Sequence, residues 1–189
     1  MSRKLKLQVQ ISVDGFIAGT NSEMDWITWN WSEDIKKYVS ELTNSFDTIL
    51  LGRKLAEGFI PYWKNVAEDK NHEEHKSGII FTNTPKIVFT KTLEKSEWEN
   101  SVLAKGDLKE EINKLKNQEG KDIIVYGGAN FVSNLIKENL IDELHLFVNP
   151  AVIGKGLSIF HKLENKKELK LLHSQAFECE INLLHYSLK

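Results

Sequence analysis

The feature that most constrains this chain is a repeated unit: a short apolar run, then glycine, then a segment with helical spacing. Thr48-Ile49-Leu50-Leu51 ends at Gly52, and a helical pattern starts at Arg53. Asp122–Tyr126 ends at Gly127-Gly128, and a helical pattern with Val132, Leu135 and Ile136 follows. An apolar run without polar alternation reads as a strand buried on both faces. Strands joined through helices run parallel, because each helix carries the chain back to the end of the sheet where the next strand starts. The unit therefore predicts an α/β fold with helices on both faces of a mainly parallel sheet.

The rest of the chain extends this pattern. Residues 3–11 alternate, with Leu5, Leu7, Val9 and Ile11 on one side of an edge or half-buried strand. Residues 12–31 are loop-like and carry Gly15, Gly19, Trp26, Trp29 and Trp31. Ser32 is a plausible N-cap for a helix with Ile35, Tyr38, Val39, Leu42 and Phe46 on one face. The helix from Arg53 is expected to stop near Phe59, ahead of Pro61. Residues 64–78 read as a charged loop, and Lys86–Thr90 and Val102–Ala104 as strands. Asp107 can cap a helix carrying Leu108, Ile112 and Leu115. Leu144–Val148 is a further strand, and strands at about 168–177 and 180–188 form a C-terminal antiparallel hairpin. The expected architecture is a central sheet of about eight strands in a single domain over residues 1–189.

Composition bears on the partners. A formal net charge of -2 argues against a protein built to coat nucleic acid. No run is long and apolar enough to span a bilayer, and the alternating N-terminus is not a signal peptide. Cys179 is the only cysteine, which excludes an internal disulfide and fits a reducing cytoplasm.

Three strand-to-helix junctions carry chemistry: Leu51-Gly52-Arg53-Lys54, Thr90-Lys91-Thr92 and Tyr126-Gly127-Gly128-Ala129-Asn130. Ligands of open α/β sheets sit at the carboxyl ends of the strands. Glycine lets a phosphate approach the backbone, and free N–H groups at a helix start favour it by roughly 0.3–2 kcal/mol. The chain holds 23 lysines and two arginines, and Arg53 falls at one of these junctions. Arginine's planar fork matches a phosphate in a way that lysine's point charge does not. Singly, each junction is also explained by a turn or a surface cation; together they describe a split dinucleotide site.

Other side chains have two readings. Glu33 and Asp34 are candidates to position a proton, or first-turn acids answering a helix dipole. The three clustered tryptophans suit a flat-substrate pocket, the core or a subunit contact. His72-Glu73-Glu74-His75 is not the His-Glu-x-x-His zinc motif and reads as solvated surface. His145, His173 and His185 lie in strand-like segments and need no ligand role, so no metal is assigned.

The order of these segments resembles the dihydrofolate-reductase-like superfamily, in particular the riboflavin-biosynthesis reductase (RibD C-terminal domain) family. The resemblance rests on Ser12-Val13-Asp14-Gly15-Phe16-Ile17-Ala18-Gly19, Ile49–Lys54, Val88–Lys91, Asp122–Asn130, Leu140–Leu144 and Asn149–Gly156. It implies NADPH lying across the strand ends. Arg53 and Lys54 would meet the adenosine phosphates with Thr90 and Lys91, and Gly52 would let them approach. Tyr126, Gly127, Gly128, Ala129 and Asn130 form the pyrophosphate junction, and Ile17 and Ala18 would flank the nicotinamide. Family members often have a cis Gly–Gly peptide at that junction. The resemblance further implies a homodimer and a small heterocyclic substrate, with an activity like that of 5-amino-6-(5-phosphoribosylamino)uracil reductase. Two departures bear on the substrate. Met24-Asp25-Trp26 resembles the Met-Pro-Trp element of dihydrofolate reductases without its proline, and Tyr126 stands where riboflavin reductases usually have Glu. Reduction of dihydrofolate or another pterin, and dinucleotide binding without catalysis, are the alternatives.

Overall fold

The computed structural model describes residues 2–189. Six parallel strands, β1 (Leu5–Ile11), β2 (Phe46–Gly52), β3 (Lys86–Phe89), β4 (Ser101–Ala104), β5 (Asp122–Val125) and β6 (Glu143–Val148), form most of the sheet. β7 (Leu169–Ala176) and β8 (Asn182–Leu188) add the antiparallel hairpin, in the order β4-β3-β2-β5-β1-β6-β8-β7. The helices are α1 (Glu33–Asn44), α2 (Arg53–Glu68), α3 (His75–Asn83), α4 (Leu108–Lys116) and α5 (Ala129–Lys137).

The strand period sorts the core. Leu5, Leu7, Val9 and Ile11 of β1 pack with Val125, Leu144 and Leu146 under Ile112 and Leu115 of α4 and Val132, Leu135 and Ile136 of α5. On the other face Ile49, Leu51, Val88 and Ile124 lie under Leu42, Ala56, Ile60 and Phe81 of α1, α2 and α3. Thus β2 and β5 are covered on both sides, as continuous apolar runs require. β1 is central, not at an edge, and its alternation marks a polar row of Lys6, Gln8 and Gln10 on the α1 face.

Three further expectations are corrected. Phe46 begins β2 and does not belong to α1. Pro61 lies inside α2, which runs on to Glu68, and α3 occupies the end of the expected loop. Proline inside a helix costs about 3 kcal/mol. Packing offsets that cost: Ala56, Ile60 and Val66 are buried, and Trp63 meets Phe81 at 4.4 Å between ring centroids. Gly78 makes the approach possible, since a Cβ there would lie 2.7 Å from the Ala67 nitrogen.

Candidate active site

Because β1 to β6 are parallel, all their carboxyl ends lie along one edge. Five neighbouring strands place Thr90 (after β3), Gly52 (β2), Tyr126–Asn130 (β5), Ser12–Gly19 (β1) and Asn149–Gly156 (β6) side by side there. From adjacent strand ends, β2 leaves toward α2 on one face and β5 toward α5 on the other. This divergence is a topological switch point, the place where ligands of open α/β sheets bind.

The β5–α5 junction is made by two glycines, Gly127 buried and Gly128 half-buried. Gly127 has φ 142° and Gly128 has φ 84°, values that strongly favour glycine. A Cβ at Gly128 would have only Phe131 within 4 Å, at 3.9 Å, and one at Gly127 only Val9, also at 3.9 Å. Gly128 caps α5 without a side-chain hydrogen bond, so the first turn keeps its free donors. There is no cis peptide bond among the described residues; the two positive-φ glycines make the turn instead. Ala129 opens α5, and the exposed Asn130 Oδ1 lies 3.0 Å from His161 Nε2.

Gly52 has a different reason to be glycine. Its φ is an ordinary -75°, but a Cβ would lie 3.1 Å from Phe131 Cβ, so the residue lets α5 close on β2. Arg53 opens α2 and donates to Glu57 Oε1 at 2.5 Å across one helical turn. Lys54 and Lys91 are exposed. The buried Thr90 accepts from the Thr92 and Leu93 nitrogens, both at 3.1 Å, and so shapes the turn after β3.

The segments after β1 and β6 form one unit. Asp14 accepts from Ser12 Oγ at 2.7 Å, the Gly154 nitrogen at 2.7 Å and the Ile153 nitrogen at 3.2 Å, and the hydroxyl first among these holds its carboxyl below the usual range. Ile17 and Ala18 pair with Leu157, and Gly156 leaves room for the Ala18 carbonyl, which a Cβ would meet at 2.2 Å. Asn149 is fully buried: its Oδ1 accepts from the Thr28 nitrogen at 2.9 Å and its Nδ2 donates to Gln10 Oε1 at 2.7 Å. It ties the tryptophan loop to the strand ends, a role that residue spacing alone did not reveal. Val13, Met24, Trp29 and Val152 leave an exposed apolar rim on these loops.

The acidic candidates are engaged otherwise. Asp34 takes a hydrogen bond from Ser32 at 2.5 Å, which lowers its pKa, and another from the Glu178 nitrogen at 3.1 Å, holding the β7–β8 turn. Glu33 projects into solvent beside Lys36. The Tyr126 ring packs among Phe46, Phe59 and Phe81, and burial of its unpartnered hydroxyl pushes its pKa well up. Away from this edge, Glu143, His145 and His185 meet under α1, a cluster the separate strand segments did not suggest.

The mostly parallel sheet, its antiparallel hairpin and the helices on both faces define a dihydrofolate-reductase-like fold. The chain belongs to the RibD C-terminal domain family, which matches residues 3–183. It is 34% identical to the Bacillus subtilis (strain 168) protein YyaP over 188 residues, 97% of this chain and 94% of that protein. A Shewanella sp. PV-4 protein named for riboflavin biosynthesis superimposes with a TM-score of 0.75 at 22% identity, covering 100% of this chain and 99% of that one. A Thermotoga maritima diaminohydroxyphosphoribosylaminopyrimidine deaminase/5-amino-6-(5-phosphoribosylamino)uracil reductase gives 0.71 at 20% identity, and the match takes 100% of this chain and 57% of that one.

Proposed function

We propose that the chain is an NADPH-dependent reductase of the riboflavin-pathway type, acting on a small heterocycle such as a ribosylamino-pyrimidine. The observation that carries this reading is the β5–α5 junction, where two positive-φ glycines, uncrowded by any side chain closer than 3.9 Å, lead into a helix start with no side-chain cap. An anion is the natural partner of such donors. Gly127, Gly128, Ala129 and Asn130 would hold the pyrophosphate, and Arg53, Lys54, Thr90 and Lys91 the adenosine phosphates. Ile17 and Ala18, fixed by Leu157, would flank the nicotinamide, and the exposed rim around Trp29 would shield a flat substrate from water. The bound cofactor supplies the hydride; the protein supplies orientation and electrostatics.

A second reading rests on Tyr126, whose ring packs in the core at the position where riboflavin reductases usually have Glu: a different substrate, or dinucleotide binding without catalysis. Dihydrofolate or another pterin is the enzyme alternative. The test is NADPH binding by fluorescence together with NADPH oxidation against the pyrimidine and dihydrofolate. Oxidation with the pyrimidine supports the reading; binding without turnover on either compound replaces it with a dinucleotide-binding role; no binding removes both. The exposed Leu171 and Leu172 of edge strand β7 fit a homodimer. Sedimentation should then find twice 21.7 kDa. The lone Cys179 and NADPH use suit the cytoplasm.

A further inference from the structure

Three side chains that the reductase reading leaves unused meet on the α1 face of the sheet. Glu143 and His145 are two apart on β6, and His185 on β8 is the register partner of His145. The period of two puts all three on one face. Glu143 Oε2 lies 3.2 Å from His185 Nε2 and 3.6 Å from His145 Nε2. One ligand atom from each residue lies within 4.8 Å of the others. Around an ion with zinc-like bonds, tetrahedral ligand atoms are separated by about 3.3 Å.

His145 is 3% exposed, and its Nδ1 lies 2.8 Å from the Tyr38 hydroxyl. Its Nε2 is buried without a hydrogen-bond partner. Either tautomer leaves that nitrogen unsatisfied. If Tyr38 donates to Nδ1, the Nε2–H points at a carboxylate beyond hydrogen-bond reach. If Nδ1 donates to Tyr38, the Nε2 lone pair faces an anion. A cation between Nε2 and the carboxylate resolves the second case.

We propose that Glu143, His145 and His185 bind a divalent transition metal of the zinc class. Two imidazoles and one carboxylate suit such ions better than magnesium or calcium. Lys4 donates to Glu143 Oε1 at 2.6 Å, which leaves Oε2 as the single ligand oxygen. Nearby Lys6 is paired with Asp122 at 2.8 Å, so its charge is largely balanced. Three ligands leave a fourth position for water. Tyr38 is a positioning residue that holds the ring of His145. The two rings stack at 3.9 Å between centroids, 19° from parallel, so the ion must open the stack. His185 is the ring that turns: its side chain is 16% exposed, against 4% for His145. The site lies about 13 Å along β6 from Asn149, on the rise of a strand. It therefore bridges β6, β8 and, through Tyr38, α1, independently of cofactor binding.

The test uses the tag-free full chain after EDTA treatment and dialysis. Calorimetric titration with Zn2+ should give one equivalent per chain, and Co2+ should give the visible absorption of a four-coordinate site. His185→Gln should weaken Zn2+ binding by about a hundredfold and Tyr38→Phe by about tenfold. His72→Gln, outside the cluster, should change neither. Affinity should fall as the pH is lowered, because protons compete with the metal for the ligand atoms. His145→Gln is a deeper change; if it fails to fold, the Co2+ spectrum of the parent and the His185→Gln titration still decide. No stoichiometric binding by the parent overturns the proposal, as does binding that survives unchanged in folded His185→Gln.

Discussion

Helices α4 and α5 pack on the same face of the sheet and have nine residues each, yet their first turns are finished differently. At α4 the Asp107 carboxylate accepts from the Lys109 nitrogen at 2.9 Å and the Glu110 nitrogen at 3.1 Å. The protein satisfies its own donors there and brings its own negative charge to the positive end of the dipole. At α5 the cap is Gly128, with no side chain to fold back. Its donors stay free at the strand-end edge, between β2 and β1. One helix start is closed by a side chain of the protein and the other is not, and the proposed cofactor site makes use of that difference. Nothing in the protein crowds Gly128, where a Cβ would meet Phe131 at an ordinary 3.9 Å.

The largest test of this contrast is Gly128→Val. A left-handed φ costs a residue with a Cβ about 1–2 kcal/mol, so the melting temperature should fall by a few degrees. The Cβ branch would also fill the space in front of the free donors, and NADPH affinity should fall by about two decades or more. Fluorescence titration and thermal melting of the same variant read the two effects. A folded Gly128→Val protein that binds NADPH normally would make α5 as self-contained as α4.

Arg53→Ala comes next. A charge-assisted hydrogen bond to a 2′-phosphate is worth about 1.5–3 kcal/mol, or one to two decades of affinity. Arg53 now donates to Glu57 at the α2 surface, and that exposed pair contributes little to stability. The ratio of NADH to NADPH dissociation constants should therefore drop toward one with almost no change in melting temperature. Equal affinities for the two cofactors in the parent chain would remove Arg53 from the phosphate site.

Gly52→Ala separates the two glycine junctions. The new Cβ would press on Phe131 at 3.1 Å, and overpacking of that kind costs about 1–3 kcal/mol. Stability should fall while affinity in the folded fraction changes little. A loss of affinity without a loss of stability would return Gly52 to the role of phosphate contact that its place in the sequence suggested.

What could be read from the chain follows from the range of the forces involved. The strand-glycine-helix units are local, so the sheet, the strand-end edge and the Asp107 cap are legible in the sequence. Pro61 misled because the packing of Trp63 on Phe81 that offsets it comes from another helix. Asn149 gave no sign of its grip on Thr28, 121 residues away. Glu143 and His145 share a face only because β6 starts at Glu143, one residue before the strand read from the sequence, and His185 joins them only through the β6–β8 register. Glycines could be found but not explained: Gly52, Gly128 and Gly156 share a residue type and differ in cause, which is packing, φ and a close carbonyl respectively.

Asp107→Ala carries the smallest expected effect and completes the comparison from the α4 side. Removing an N-cap carboxylate costs about 1 kcal/mol, because the two donors it held go back to water and the dipole loses its counter-charge. The α4 start is exposed, so water can take the freed N–H groups, and the loss should not exceed that value. Ile112 and Leu115 keep the helix docked in the core, so the fold survives and the change is read as a shift of the denaturation midpoint at constant slope. NADPH affinity should be unchanged, since α4 follows β4 at the far edge of the sheet and the cofactor reading uses β3, β2, β5 and β1. Adding phosphate should not restore the lost stability if the α4 start is only a structural cap. Rescue by phosphate to the parent midpoint would mean that any uncapped helix start in this chain recruits an anion, and the special standing of Gly128 would then rest on its position beside β2 alone.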